Sequence, residues 1–425
     1  MNPEVLLLLI LAVIMLVFAA QCVLQLGLKV DAGFVLGYSV FFDAFGFFFR
    51  QFIPGYTLIL LVVAPILIVL IAFFQKPTRA LDLFSNGGIW LWAAFFAYVM
   101  LSFSWASVAS AGLSQEMMLI ARAVIPGIYT YIVYKKYYRL SWTIVAIFGL
   151  IYAVIHLTFG IYPDEYPGRL TLPGDNPIFN ARLSLIAVTI ALWGRKIPWY
   201  VRIPVIGVGL YSALATQSRG PVAAFLIATL SVALLHLWKL YRKAGIQPFK
   251  RYLPLGIVVV VLMGTAVALF TGPLQDAVAG SRFTVLFSAN QLQGDDNFLG
   301  RVDLQMKAID EFQQHPFFGL GIGGITPPVK SEFPHNILLE LGSELGIMGL
   351  FLWLLALLYT LWTVRKQGVL LVLLLQTVGC AMISGDFGYN FEYMLLAFVA
   401  LVFVPKRRKE GGGRREKNSI SLNRA

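Results

Sequence analysis

The sequence predicts an all-α integral membrane protein of about twelve transmembrane helices with one large helical loop on its outer face. Its 425 residues are 59% hydrophobic and only 13% charged, with mean hydropathy +0.78, which excludes an ordinary soluble domain. Apolar segments long enough to approach a bilayer crossing recur at 5–28, 55–74, 88–107, 117–134, 142–161, 181–194, 201–217, 221–238, 253–271, 345–364, 368–385 and 389–404. The segments between them alternate in charge, with basic residues concentrated on one side.

In chain order, 1–28 lacks a basic leader and has too long an apolar run for a cleaved signal, so it reads as the first span. The stretch 29–54 places Asp31, Asp43 and Arg50 among aromatics and reads as an outer, interfacial amphipathic piece. Residues 162–180 are rich in turn formers and lie on the same face. Residues 1–271 thus hold nine spans, 272–335 form the large outer loop, 336–404 hold three more spans, and 405–425 are a basic, disordered tail. Cys22 and Cys380 both fall in apolar spans and give neither a disulfide framework nor metal-ligand spacing.

With both termini inside, the cytoplasmic loops and tail carry 23 of the 33 Lys and Arg, whereas 17 of the 21 acidic residues lie outside or near the outer ends. The net charge of +12 therefore reads as topology and contact with anionic lipid, not nucleic-acid binding. No internal repeat is visible, which weighs against a transporter built on repeats.

A few residues stand out from this background. Within the long loop, Leu299, Val302, Met306 and Ile309 follow helical spacing over 297–314, and Pro316 follows the end. Arg301 then sits near a helix N-terminus, where an anion can bind, although on the residues alone a surface arginine paired with Asp303 or Asp296 is the stronger reading. Ser218-Arg219-Gly220 lies at the outer end of a span, where an arginine either binds substrate or snorkels. Of four histidines, His156 and His236 lie inside spans and His315 at a helix end; His335 differs, preceding Asn336 at a helix start on the same face as Arg219 and Arg301. Gly319–Gly324 formally contains a dinucleotide-type glycine pattern but lacks the βαβ setting, so a tight turn back toward the membrane is the better reading. Asp295-Asp296 has no further ligand at metal spacing in the loop and reads as a helix cap.

Together SRG at 218–220, GRVDLQMKAIDEFQQHPFFGLGIGG at 300–324 and HNILLELGSELGIMGL at 335–350, in that order, resemble the O-antigen ligase and polymerase superfamily of membrane glycosyltransferases. The resemblance implies a GT-C-like helical fold in the bacterial inner membrane, with the active site facing the periplasm and both termini cytoplasmic. It implies a glycan donor on undecaprenyl diphosphate. The acceptor hydroxyl belongs to lipid A-core in a ligase or to a lipid-linked repeat unit in a polymerase, and the ligase branch is the closer likeness. The leaving diphosphate needs positive charge, and with no evident metal site or cofactor the resemblance implies a metal-independent, inverting reaction. Arg219 and Arg301 would hold the diphosphate and His335 would be the general base. Arg122, Arg182, Asn336 and, by a looser echo in 169–180, Arg169 are further substrate-binding candidates; for Arg122 and Arg182, pairing with Glu116 or a carbonyl is the structural alternative. Membrane lipids are the remaining expected partners. The competing class is a transporter of an anionic or lipid-linked substrate, disfavoured because the singled-out residues gather on one outer face instead of mid-membrane.

Overall fold

The computed structural model describes residues 30–52, 57–75, 86–244, 296–326 and 333–403; the expected spans at 5–28 and 253–271, the loop segment 272–295 and the tail lie outside them. The described residues are helical, and their only sheet-like feature is an isolated bridge between Ile161 and Thr171. Among them five helices are long and apolar enough to cross a membrane, and shorter apolar helices pack between these.

The elements are α1 (Ala32–Val40), α2 (Phe42–Phe52), α3 (Thr57–Gln75), α4 (Gly87–Ser102), α5 (Ala109–Leu119), α6 (Ile125–Tyr137), α7 (Trp142–Phe159), α8 (Pro177–Trp193), α9 (Trp199–Ala215), α10 (Arg219–Ala244), α11 (Asp296–Gln314), α12 (Ile337–Val364), α13 (Gly368–Ala381) and α14 (Phe391–Leu401). Their ends sort into two levels. At one level the Asp31 carboxylate accepts from Ser141 N at 2.9 Å and pairs with Arg139, Tyr137 donates to Gln75, and Asn86 donates to the Leu401 carbonyl at 2.8 Å. Lys135, Lys136, Arg139, Lys196 and Arg365 belong to this level, beside the ends of α6, α8 and α12. At the other level Leu170 N donates to Ala215 O, Ser107 N to Leu320 O and Arg50 to Asp175.

This sorting corrects the reading of 29–54. Asp31 belongs to the basic level and Arg50 to the opposite one, so α1 and α2 together run from one level to the other, and α1 is buried against α7 and α6. Aromatic residues interrupted by Asp43 gave that crossing a low apparent hydropathy.

Two irregularities shape the site. A π turn, Ile120–Val124, joins α5 to α6, followed by Pro126, whose ring would collide with the carbonyl of residue 122 in a regular helix; the wider turn accommodates it. The α12 helix begins at Ile337, eight residues before the apolar run at 345, and is broken at Gly346 (φ 65, ψ −168). Into that break fits the strap after α11: Leu320 N and Gly321 N donate to Ser343 O and Glu344 O, while Ile347 N donates to Pro316 O at 2.8 Å. A Cβ at Gly346 would lie 2.3 Å from Phe317 O, so this crossing of two backbones requires glycine. The glycine-rich segment is thus a backbone-on-backbone strap, in keeping with a tight turn returning to the membrane.

Candidate active site

At the level opposite the basic loops lies a cavity of about 1180 Å³. Its walls come from the start of α5, the 161–176 loop, the start of α8, the residues before α12 and the turn between α13 and α14. Arg50, Arg122, Arg182 and His335 line it, as do Asp43, Asp175 and Asp386.

His335 stands just before the N-cap of α12, with φ 53, and its ring packs against Phe333 at 4.4 Å. Its Nδ1 is buried without a hydrogen-bond partner. Burial, with Arg301 and then Arg182 nearby, pushes its pKa down to about 4, so the imidazole is neutral near pH 7 and able to accept a proton.

The two arginines that act on His335 grip one turn. Arg182 donates through Nη2 to Cys380 O at 3.0 Å and Ser384 O at 2.7 Å, and its Nη1 lies 3.7 Å from Glu392. Arg301 donates from α11 to Ile383 O at 3.0 Å. The same turn carries Asp386, whose carboxylate accepts from Tyr389 N at 2.7 Å and whose pKa burial raises to about 6.

Across the cavity each arginine meets a carboxylate. Arg122, on the π turn, is ion-paired with Asp43 and faces the rings of Phe179 and Phe391. Its partner is Asp43 and not Glu116, an alternative that sequence proximity suggested. Arg50 bonds Asp175 at 2.8 Å; burial and then Asp43 raise the Asp175 pKa to about 6 against the pull of Arg50. Asn180, His156 and Ser212 form a buried chain beneath this wall, with Asn180 holding Leu172 N and Thr171, and His156 bonded to Ser212 at 2.8 Å.

The structure therefore brings together His335, Arg122 and Arg182 in the cavity wall, with Arg301 at its edge. Arg169 and Arg219 do not line it. Arg169 donates to Thr216 O and Ser218 Oγ, tying the 161–176 loop to the turn that opens α10 with Arg219. Asn336 caps α12, its side chain accepting from Leu338 N and Leu339 N. Sequence reasoning gave no role to Asp43, Asp175 or Asp386. Asp43 carried the one available signal, a lone carboxylate inside an aromatic run.

Residues 204–354 match the family model described as O-antigen ligase. That match covers about a third of the chain and is a likeness of this segment to the O-antigen ligase family. The matched ligase-family segment includes Arg219, Arg301 and His335, while Arg122, Arg182 and the 383–386 turn lie outside it, so the cavity joins family-matched residues to others. No curated protein and no solved structure matches the chain.

Proposed function

We propose that this protein is an inverting, metal-independent glycosyltransferase of the bacterial inner membrane, with a cytoplasmic C-terminus, moving a glycan from undecaprenyl diphosphate to an acceptor hydroxyl at the periplasmic face. The observation that carries this reading is the neutral, partly buried imidazole of His335, its Nδ1 unpartnered, lining a large cavity within the field of Arg301 and Arg182. The separation of that cavity from the basic loops supports a periplasmic site. The O-antigen ligase match supports the reaction class.

In this reaction the acceptor oxygen attacks the sugar's C1, the C1–O bond to the diphosphate breaks, and the diphosphate leaves with the electron pair. The hydroxyl proton passes to His335. Arg182 and Arg301 offset the negative charge gathering on the leaving group. An incoming diphosphate also offsets the positive field that keeps His335 weakly basic, raising its pKa toward working pH, where a general base is most effective. The ligase reading makes lipid A-core the acceptor; the polymerase alternative uses the same donor chemistry with a lipid-linked repeat unit.

Purified protein, lipid-diphosphate glycan and each acceptor in turn test this directly. Product on lipid A-core is expected, with activity retained in excess EDTA. A ladder of lengthened lipid-linked glycan instead makes it a polymerase, loss of activity restored by magnesium overturns the metal-independent step, and no product with either acceptor overturns the transferase reading.

A further inference from the structure

The stretch of cavity wall built from α5 and the loop after α7 is assigned no role by the transfer chemistry, and its composition is unusual for a pocket that receives a diphosphate. Ser110 and Ser114 sit one turn apart on α5, both exposed and both lining the cavity, so two hydroxyls face this space. Beside them in the lining are Asp164, Glu165 and Tyr166 of the loop after α7. Asp164 and Glu165 are exposed, and among the described residues neither is in an ion pair.

One further group lining the cavity is a buried amide with an unsatisfied acceptor. Gln115 is 5% exposed, lines the cavity, and donates through Nε2 to Glu340 at 3.4 Å, which orients the amide; its Oε1 has no hydrogen-bond partner. Glu340 is itself held by Phe387 N at 2.8 Å. A fixed amide with a spare acceptor, two serine hydroxyls and an aromatic phenol beside carboxylates match what a polyol needs: acceptors for its hydroxyl protons and a ring to lie against.

Charge narrows the class. Five carboxylates line the cavity (Asp43, Asp164, Glu165, Asp175 and Asp386) against three arginines, and each arginine already contacts a carboxylate: Arg50 with Asp175, Arg122 with Asp43 and Arg182 with Glu392. An acidic sugar beside Asp164 and Glu165, which are in no ion pair among the described residues, meets like charge. A protonated amine meets the opposite.

We propose that Ser110, Ser114, Gln115 and Tyr166, with Asp164 and Glu165 at the rim, form a glycan subsite that accepts neutral or amino-bearing sugars and rejects acidic ones. The proposal deepens the transferase reading by naming the charge class of its carbohydrate, but the subsite can be read without turnover.

The test is direct binding to the full-length protein in nanodiscs by saturation-transfer NMR. The probes are maltotriose (neutral), the glucosamine trimer (cationic) and trigalacturonate (anionic). The cationic and neutral trimers are expected to bind, with trigalacturonate weaker by about tenfold, the scale of one or two partly screened like-charge contacts. Asp164→Asn/Glu165→Gln, at exposed positions, should erase that discrimination, and Ser110→Ala/Ser114→Ala should weaken all three probes. Equal binding of trigalacturonate by the native protein, indifference to both double variants, or no binding of any trimer overturns the subsite. Selective binding without transfer from any donor leaves the subsite standing and removes the transferase reading instead.

Discussion

On one side of the cavity Arg182 and Arg301 donate to main-chain carbonyls of the 380–384 turn; on the other Arg50 and Arg122 are bonded to Asp175 and Asp43. An arginine on a carbonyl keeps its charge, whereas one on a carboxylate forms a nearly neutral pair whose field falls off quickly. His335 registers the difference, because the two carbonyl-bound arginines are the ones that lower its pKa. The side that faces His335 is therefore electropositive, while Asp43 and Asp175 on the other side are held in ion pairs and do not act on the base. Glu392, 3.7 Å from Arg182, lies behind the guanidinium as a counter-charge, allowing that arginine to be 3% exposed.

The largest break in this comparison is the loss of the base. His335→Ala should lower transfer by about 100- to 10,000-fold while leaving donor binding nearly intact; full transfer by the variant, measured as product on either acceptor, removes the general-base role. Arg182 sharpens the contrast between charge for function and charge for fold. Arg182→Gln leaves Glu392 buried without its cation and should cost about 3–5 kcal/mol in thermal unfolding. Adding Glu392→Gln should restore most of that stability without restoring transfer. If the double variant recovers both, Arg182 is structural only.

The two sides were not equally legible in the sequence. Helices such as Trp142–Phe159 and Gly87–Ser102 could be read directly, because a bilayer requires long apolar runs with every backbone group bonded internally. His335 and Arg301 could be read because they sit at the starts of helices next to turn signals. The α1–α2 crossing could not, since two short aromatic helices broken at Phe41, with Asp43 between, fit neither a span nor a loop template. The beginning of α12 was legible at Asn336, but the depth of its first turns was not: Glu340 and Glu344 are both fully buried, Glu340 beneath Gln115 and Phe387 N. The Arg122–Asp43 pair spans 79 positions, and nothing local in the chain announces it.

A backbone substitution tests whether the electropositive side depends on the strap that brings α11 into place. Gly346→Ala puts a Cβ 2.3 Å from Phe317 O at φ 65 and should cost about 2 kcal/mol or more, loosening α11 and with it Arg301. Gly300→Ala, whose Cβ meets nothing within 4 Å on an exposed helical turn, is the control and should be neutral or slightly stabilising. Thermal unfolding and proteolysis of the strap read both, and equal behaviour of the two variants removes the role given to the broken helix.

The smallest effect isolates the field itself. For the free enzyme, activity carried by a neutral His335 should persist from neutral pH down to about pH 5 and fall as pH drops through about 4, because protonation removes the base. Arg301→Gln takes away one of the charges that disfavour the imidazolium, so the acid limb of kcat/KM should move upward, toward but not reaching the ordinary 6.5, since burial is the larger cause and remains. Asp175→Asn, on the paired side of the cavity, should leave that limb where it is. An acid limb that stays fixed in Arg301→Gln means the arginine's charge does not reach the base, and one that moves as far in Asp175→Asn means the two sides of the cavity are not electrostatically separate.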